Sequence, residues 1–285
     1  MPLDLSGRRV LITGAARGIG AATAKRLHAR GARLVLAGIE PDMLARTATD
    51  CGDALAVVCD VRDREQVEAA VEQLRGLDVV VANAGVAAQL PLVGGDPEVF
   101  ERTIEVNLLG VYYTLRAAGP HIAHERGYAL AIASLAAALH PPLLGAYCAS
   151  KAGVEALADS LRIELAPSGA RVGVAYFAYL DTDMVRHGFA TKAGKLLREV
   201  RGPGQSVAPL DAGIDAIERG IARRARRVVA PRWVGAVLPV RMLAQRAIEA
   251  ATRSSIEPVL EVARAEDAPL STPQPLVSRD RLGHS

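Results

Sequence analysis

Aromatic side chains are scarce in this chain: three phenylalanines, six tyrosines and one tryptophan in 285 residues. Alanine, valine, leucine and glycine take their place, which suits closely packed helices on a buried parallel sheet better than a sandwich of exposed strands. Cysteine is rarer still. Cys51, Cys59 and Cys148 are an odd number without CxxC spacing, so neither a disulfide framework nor a thiolate metal centre is expected, and a reducing compartment fits. No charge-free apolar run is long enough to span a bilayer, and "MPLDLSGRRVLITG" holds no apolar stretch of signal-peptide length, so a cytoplasmic location is expected. The net charge of +3 is too small to imply a nucleic-acid partner. The basic run "RGIARRARR", 219–227, reads as one solvated helix face.

What is present is rhythm. Half of the residues are apolar, enough for a large core, and one α/β domain with a tail is expected. Short β-branched runs at 9–13, 33–37, 54–58, 77–82, 128–133, 171–177 and 227–230 alternate with helical stretches near 18–30, 41–50, 63–75, 97–125, 146–167 and 209–224. Seven such strands joined by helices make a doubly wound parallel sheet with helices on both faces, spanning residues 1–232, and place a ligand at the carboxyl ends of the strands. Residues 183–208 break the rhythm and end in Gly, Pro and Ser, the pattern of a mobile insertion. Residues 233–264 read as a helical extension. Its amphipathic part, 233–251, packs on the body of the protein or on a second subunit; the alternative use is a membrane surface. The Pro-, Ser- and charge-rich stretch 265–285 reads as a poorly ordered tail.

Two local patterns carry chemistry. "TGAARGIG" follows the first strand and opens a helix, and three glycines in seven residues, Gly14, Gly18 and Gly20, let backbone approach a pyrophosphate while the helix N-terminus donates N–H groups. The Lys-Ser/Thr of a phosphate-transfer loop is missing. Further on, "YCASK" sets Tyr147 and Lys151 four apart, on one helical face. An amphipathic helix with a half-buried phenol would look the same. The alternative is a proton-transfer pair: bringing a phenol from about 10 towards neutrality takes about 3 units, or about 4 kcal/mol, and an ammonium in a partly dry site supplies an interaction of that size. The small neighbours Ala149, Ser150, Ala152 and Gly153 leave room for a cofactor.

In order along the chain stand "TGAARGIG", "CDV" with Asp60, "ANAG" at 82–85, "VNLLG" with Asn107, "IAS" ending at Ser134, and "YCASK". This series resembles the short-chain dehydrogenase/reductase family over roughly the first 230 residues. The resemblance implies a Rossmann-type fold and an NAD(P)-dependent oxidoreductase that interconverts a secondary alcohol with a ketone or aldehyde. Tyr147 would be the catalytic acid/base and Ser134 would bond the reacting oxygen. Lys151 would lower the phenol pKa and hold the nicotinamide ribose, and Asn107 would organise a helix and a water leading from Lys151 to solvent. The cofactor would lie against Gly14, Arg17, Gly18, Ile19, Gly20, Gly38, Ile39, Asp60, Val61, Asn83, Ala84, Gly85, Tyr147, Lys151 and Thr182, with Asp60 accepting from the adenine amino group. On its residues alone, Asp60 would cap the helix beginning near Arg62.

Cofactor choice falls after the second strand, in "LAGIEP". Gly38 and Ile39 stand where NAD-using relatives tend to carry Asp and NADP-using ones Arg. Glu40 would repel a 2′-phosphate and Arg17 would attract one. With nothing basic at 38–40, NAD is favoured over NADP; Glu40 reads equally as a cap for the next helix. The family's usual Pro-Gly after the sixth strand is Phe177-Ala178 here. His140, Pro141, Pro142, Leu143 and Leu144, with Tyr179, Met184, Val185 and Phe189, favour a small hydrophobic alcohol or ketone as substrate. A homodimer or homotetramer through 97–125 and 146–167 is expected from the resemblance, and no metal. A non-catalytic dinucleotide sensor or scaffold is the alternative, against which Tyr147, Lys151 and Ser134 together argue.

Overall fold

The computed structural model describes residues 3–73, 76–201, 206–266 and 269–272. Seven strands, β1 (Arg9–Thr13), β2 (Arg33–Gly38), β3 (Leu55–Val58), β4 (Val79–Ala82), β5 (Tyr128–Ile132), β6 (Arg171–Phe177) and β7 (Arg227–Ala230), form one parallel sheet in the order β3-β2-β1-β4-β5-β6-β7. The order reverses between β1 and β4, and their carboxyl ends open a crevice there.

Strand residues alternate between two cores, as the two-residue period of a strand requires. Leu11, Val35, Val80, Ala129 and Val172 point to one layer, where they meet Val67 and Val71 of α3 (Arg64–Glu72), Val111 and Leu115 of α5 (Gly110–Ile122) and Val154 of α6 (Gly145–Glu164). Val10, Ile12, Leu36, Val81 and Leu130 point to the other. They meet Leu27 of α1 (Gly18–His28), Leu44 of α2 (Pro41–Asp50) and Ile214 and Ile217 of α9 (Leu210–Arg223). Every residue of β4 and β5 is buried, whereas edge strand β3 leaves Leu55 45% and Val58 58% exposed, short of the two-sided cover expected for it.

The stretch 97–125 is not one continuous helix. It is α4 (Pro97–Ile104), capped by the Asp96 carboxylate on the Glu98 amide, then a π turn (Glu105–Leu109), then α5. The wider turn aims Asn107 into the core, where it is 0% exposed; π turns of this kind recur at functional sites. The segment expected as a mobile insertion is helical for most of its length, α7 (Asp183–Ala190) and α8 (Lys192–Arg201), while 202–205 fall outside the described residues. The extension holds α10 (Val234–Val237), α11 (Arg241–Thr252) and α12 (Ile256–Ala265). Val259 and Ala263 of α12 form a third core with Ala193 and Leu197 of α8 and with Leu143. Residues 269–272, expected in a poorly ordered tail, pack on the body, Leu270 against the first core; 273–285 lie outside the described residues. Among the described residues no helix is long and apolar enough to cross a membrane, and no cluster of His, Cys, Asp and Glu suits a metal ion.

Candidate active site

The glycine turn follows β1. Gly14 has φ +64°, and a Cβ there would lie 2.8 Å from Ala84 Cα, so the turn and the end of β4 touch through bare backbone. The Thr13 hydroxyl accepts from the Asn83 and Ala84 amides at 3.0 and 3.2 Å, and Asn83 Nδ2 returns a bond to Thr13 O at 2.9 Å. These bonds fix the crevice floor. Gly18, with φ +56°, begins α1 and meets nothing within 4 Å of where its Cβ would sit. Arg17 gives the helix no side-chain cap, so its first N–H groups are left for a ligand.

One cleft runs from this turn to the helix of Tyr147. Its lining includes Gly14, Arg17, Gly18, Ile19, Gly38, Ile39, Asp60, Val61, Asn83, Ala84, Gly85, Ser134, Tyr147, Lys151 and Thr182, which the sequence had singled out. Two of the expected residues do not line it. Gly20 sits behind the turn, where a Cβ would come within 2.2 Å of Gly14 O, so its part is to let α1 pack against the strand end. Asn107 lies beneath the floor. Its Oδ1 accepts from the Val86 amide at 2.7 Å, its Nδ2 donates to Val86 O at 2.9 Å and to Ser150 Oγ at 3.1 Å, and Ser150 donates to Tyr147 O at 2.8 Å. Its amide thus ties the loop after β4 to the helix carrying the Tyr-Lys pair.

At the Tyr147 end of the cleft three polar groups converge. Lys151, 3% exposed, donates from Nζ to Ile132 O at 2.9 Å, and Nζ stands 5.6 Å from the centre of the Tyr147 ring. A Cβ on Gly85 would come within 3.4 Å of that Nζ and 3.2 Å of Asn107 Oδ1, so glycine keeps the floor open beside the amine. Ser134 caps a short turn after β5 by accepting the Ala136 amide at 3.1 Å, donates to Phe177 O at 3.3 Å, and pulls the Tyr147 pKa down. The expected lowering of the phenol pKa by Lys151 is not what the cleft produces. Burial pushes Tyr147 up to about 12 against the pull of Ser134, and burial draws Lys151 down to about 8. A largely desolvated amine does little to favour the phenolate, and desolvation of the phenol wins.

At the opposite end, beside β2, Arg17 Nε pairs with Glu40 at 3.3 Å, while Arg17 Nη2 is buried with no protein partner among the described residues. Glu40 makes no side-chain cap to α2, so the ion pair replaces the capping role weighed for it. Asp60 accepts the Arg62 amide at 3.0 Å in the turn ahead of α3, but it is not the cap of α3 itself. That cap is Asp63, accepting the Glu65 and Gln66 amides, while both Asp60 oxygens are gripped by Arg62 at 2.5–3.0 Å.

Phe177-Ala178 stand where β6 ends. Ala178 N donates to Ala230 O at 3.0 Å, and the Tyr179–Asp181 stretch forms an isolated bridge to Ala208 with bonds of 2.9 Å. Thr182 then caps α7 on the Val185 amide. Of the residues read as substrate contacts, Met184 and Val185 line the cleft. Leu143, with φ +66°, is buried in the third core; the His140 amide bonds to Gln245; Tyr179 and Phe189 stack edge to face at 4.9 Å. Sequence reasoning missed Ser150, Val86 and Thr272. Ser150 was visible only as a small neighbour, and Thr272 sits in a stretch whose composition carries no structural signal.

A doubly wound sheet with a glycine turn at its switch point and a Tyr-Lys-Ser set at the other end of one cleft defines a dinucleotide-dependent class of protein. The model of the short chain dehydrogenase family matches residues 8–193, and the chain belongs to that oxidoreductase family. It is 34% identical to the "11-beta-hydroxysteroid dehydrogenase-like 6" of Arabidopsis thaliana over 263 residues, covering 86% of this chain and 76% of that one. It is 36% identical to the (-)-trans-carveol dehydrogenase of Rhodococcus erythropolis over 207 residues, 64% and 74% of the two chains. Among solved structures, a short chain dehydrogenase from Burkholderia cenocepacia in complex with NADP shares the fold at 24% identity and TM-score 0.74, covering 87% of this chain and 98% of that one. Another from Burkholderia phymatum, in complex with NAD, does so at 24% and 0.74, covering 87% and 96%.

Proposed function

We propose that the protein interconverts a hydrophobic secondary alcohol and its ketone with a nicotinamide dinucleotide, NAD in preference to NADP. The observation that carries this is the convergence of Tyr147, Ser134 and Lys151 Nζ above Gly85, in one cleft with the glycine turn. The cleft fits a dinucleotide on its own features: open space over Gly18, uncapped N–H groups of α1, and the orphaned Arg17 Nη2. When bound, the dinucleotide supplies the carbon that gives or takes hydride. Gly14 and Gly18 would lie under its pyrophosphate, and Lys151 beside its nicotinamide ribose.

Tyr147 is a neutral phenol at physiological pH, so its Oη is poised to donate a proton to a ketone oxygen held by Ser134. In the oxidising direction the same oxygen must first lose its proton, and oxidation therefore rises with pH while reduction is flat through neutrality. Met184, Val185, Ala178 and Leu180 give the catalytic end an apolar wall, in keeping with the carveol dehydrogenase likeness. Glu40 would accept from the ribose hydroxyls of NAD and repel the 2′-phosphate of NADP while it occupies Arg17. We further place the protein in the cytoplasm, in keeping with three buried cysteines that form no disulfide, and as a homodimer or homotetramer through the faces bearing exposed Leu109, Tyr112 and Ile163. Calorimetric titration with NAD and NADP, followed by a screen of secondary alcohols for absorbance of reduced nicotinamide, tests the reading. It requires tighter binding of NAD and turnover of at least one apolar alcohol; binding of neither dinucleotide refutes it.

A further inference from the structure

The loop after β4 is a junction. Its Val86 is bonded to Asn107 in both directions, and the Leu90 amide donates to Leu143 O at 2.9 Å. Gln89 Oε1 accepts from the Thr191 hydroxyl between α7 and α8. Between Val86 and Gln89, the far C-terminal segment joins in: the Ser271 amide donates to Ala87 O at 2.8 Å, and the Ala87 amide donates to Ser271 Oγ at 3.0 Å. Leu270 is packed beside this clasp and Thr272 lines the cleft together with Tyr147 and Ser134. The same extension is anchored a second time. Both carboxylate oxygens of Glu266 accept N-terminal amides of α8, from Lys192 at 2.8 Å and Ala193 at 2.9 Å, and α12 packs on α8 through the third core.

We infer that residues 270–272 form the outer wall of the substrate pocket, with Ser271 the positioning residue that clasps this strap to Ala87 and Thr272 the residue that limits substrate size. Ala87 lies two residues beyond Gly85, which faces Lys151 Nζ, so a strap held there crosses the catalytic end of the cleft and not the adenosine end. A wall brought from the C-terminus admits compact secondary alcohols and ketones and rejects polycyclic ones. The inference rests on the proposed alcohol–ketone chemistry for its substrates and on the clasp alone for its geometry.

The test uses the full chain. Ser271→Pro removes both the donor and the acceptor of the clasp, and Ser271→Thr keeps them. Two hydrogen bonds of ordinary strength correspond to about a tenfold to thirtyfold change in strap opening. Hydrogen exchange at the Ala87 amide is expected to quicken by at least about tenfold in Ser271→Pro and to stay at the parent rate in Ser271→Thr. The ratio of kcat/KM for a polycyclic secondary alcohol to that for cyclohexanol rises about tenfold in Ser271→Pro through KM, with NAD affinity within about twofold of the parent. Thr272→Trp moves the ratio the other way. Unchanged exchange overturns the clasp, and quickened exchange with an unchanged ratio in both variants overturns the wall. Should the parent oxidise no secondary alcohol at all, the functional proposal fails on its own, and the exchange at Ala87 still decides whether Ser271 clasps the strap to the loop after β4.

Discussion

The two ends of the cleft are built by different means. At the dinucleotide end, backbone from the ends of β1, β2 and β4 does the work, with Gly14, Gly18 and Gly85 allowing close approach and Thr13 and Asn83 stitching neighbouring strand ends together. At the catalytic end the walls are side chains and loops from segments near 86–91, 134–151, 177–199 and 269–272, brought together by a few hydrogen bonds and a small third core. Local sequence dictates the first end and tertiary contact assembles the second. A backbone site is expected to serve many substrates unchanged, while a site assembled from distant segments is where relatives with the same cofactor diverge.

That contrast sets the size and kind of effect expected from mutation. The largest belongs to the reacting phenol: Tyr147→Phe should cut kcat by about 10²- to 10⁴-fold, with dinucleotide affinity by calorimetry within twofold. Loss of affinity without loss of turnover would put the phenol on the wrong side of the comparison. Next come the glycines. Gly20→Ala forces a Cβ to 2.2 Å from Gly14 O, whereas Gly18→Ala meets only open space at φ +56°. Gly20→Ala should therefore lower thermal stability more than Gly18→Ala, whose own cost in the left-handed region is about 1–2 kcal/mol. Gly18→Ala should weaken dinucleotide binding in a protein that remains folded. Equal melting temperatures for the two would mean that the turn is not close-packed.

Lys151 gives the third effect, and its sign follows from burial. Its folded pKa of about 8 lies below the ordinary lysine value of 10.5, so between those values the unfolded chain binds more protons than the native one. Its contribution to stability thus rises with pH across that window and is at its least favourable below pH 8. Denaturant titrations of Lys151→Met and parent should show the variant gaining on the parent at pH 7, with the gap closing by about 2–3 kcal/mol towards pH 10. A gap that widens with pH contradicts a desolvated amine. Smallest is the cofactor preference: Glu40→Gln frees Arg17, and the ratio of NADP to NAD kcat/KM should rise about tenfold, or about 1.4 kcal/mol. No change would show that the ion pair does not face the ribose.

Legibility followed the same divide. The seven strands were readable because runs such as "RVLIT" and "RVGVAYF" are apolar at successive positions, which only a sheet covered on both faces accommodates. The glycine turn and the Tyr-Lys spacing were readable because the chemistry is confined to eight and five consecutive residues. The π turn was hidden, since one extra residue per turn leaves the apolar pattern of 97–125 nearly intact while rotating Asn107 inward. The grip of Arg62 on Asp60 was hidden because the helix starts two residues later than its spacing suggests, with Asp63 taking the Glu65 and Gln66 amides. The strap was hidden most completely. "APLSTPQP" has the composition of a disordered tail, and a single leucine and two hydrogen bonds to a loop 184 residues away are what order residues 270–272. The direction of the Tyr147 shift was also beyond the sequence, because it depends on how dry the pair is and not on its spacing.

The central claim is that Tyr147 moves a proton while hydride passes to a dinucleotide held in the same cleft. Incubating the protein with NAD and a secondary alcohol deuterated at its carbinol carbon, and weighing the reduced dinucleotide by mass spectrometry, tests it directly. The account predicts a reduced dinucleotide one mass unit heavier than that from unlabelled alcohol, formed faster as pH rises, and its near-disappearance in Tyr147→Phe. Label lost to water, or transferred undiminished by Tyr147→Phe, would contradict it.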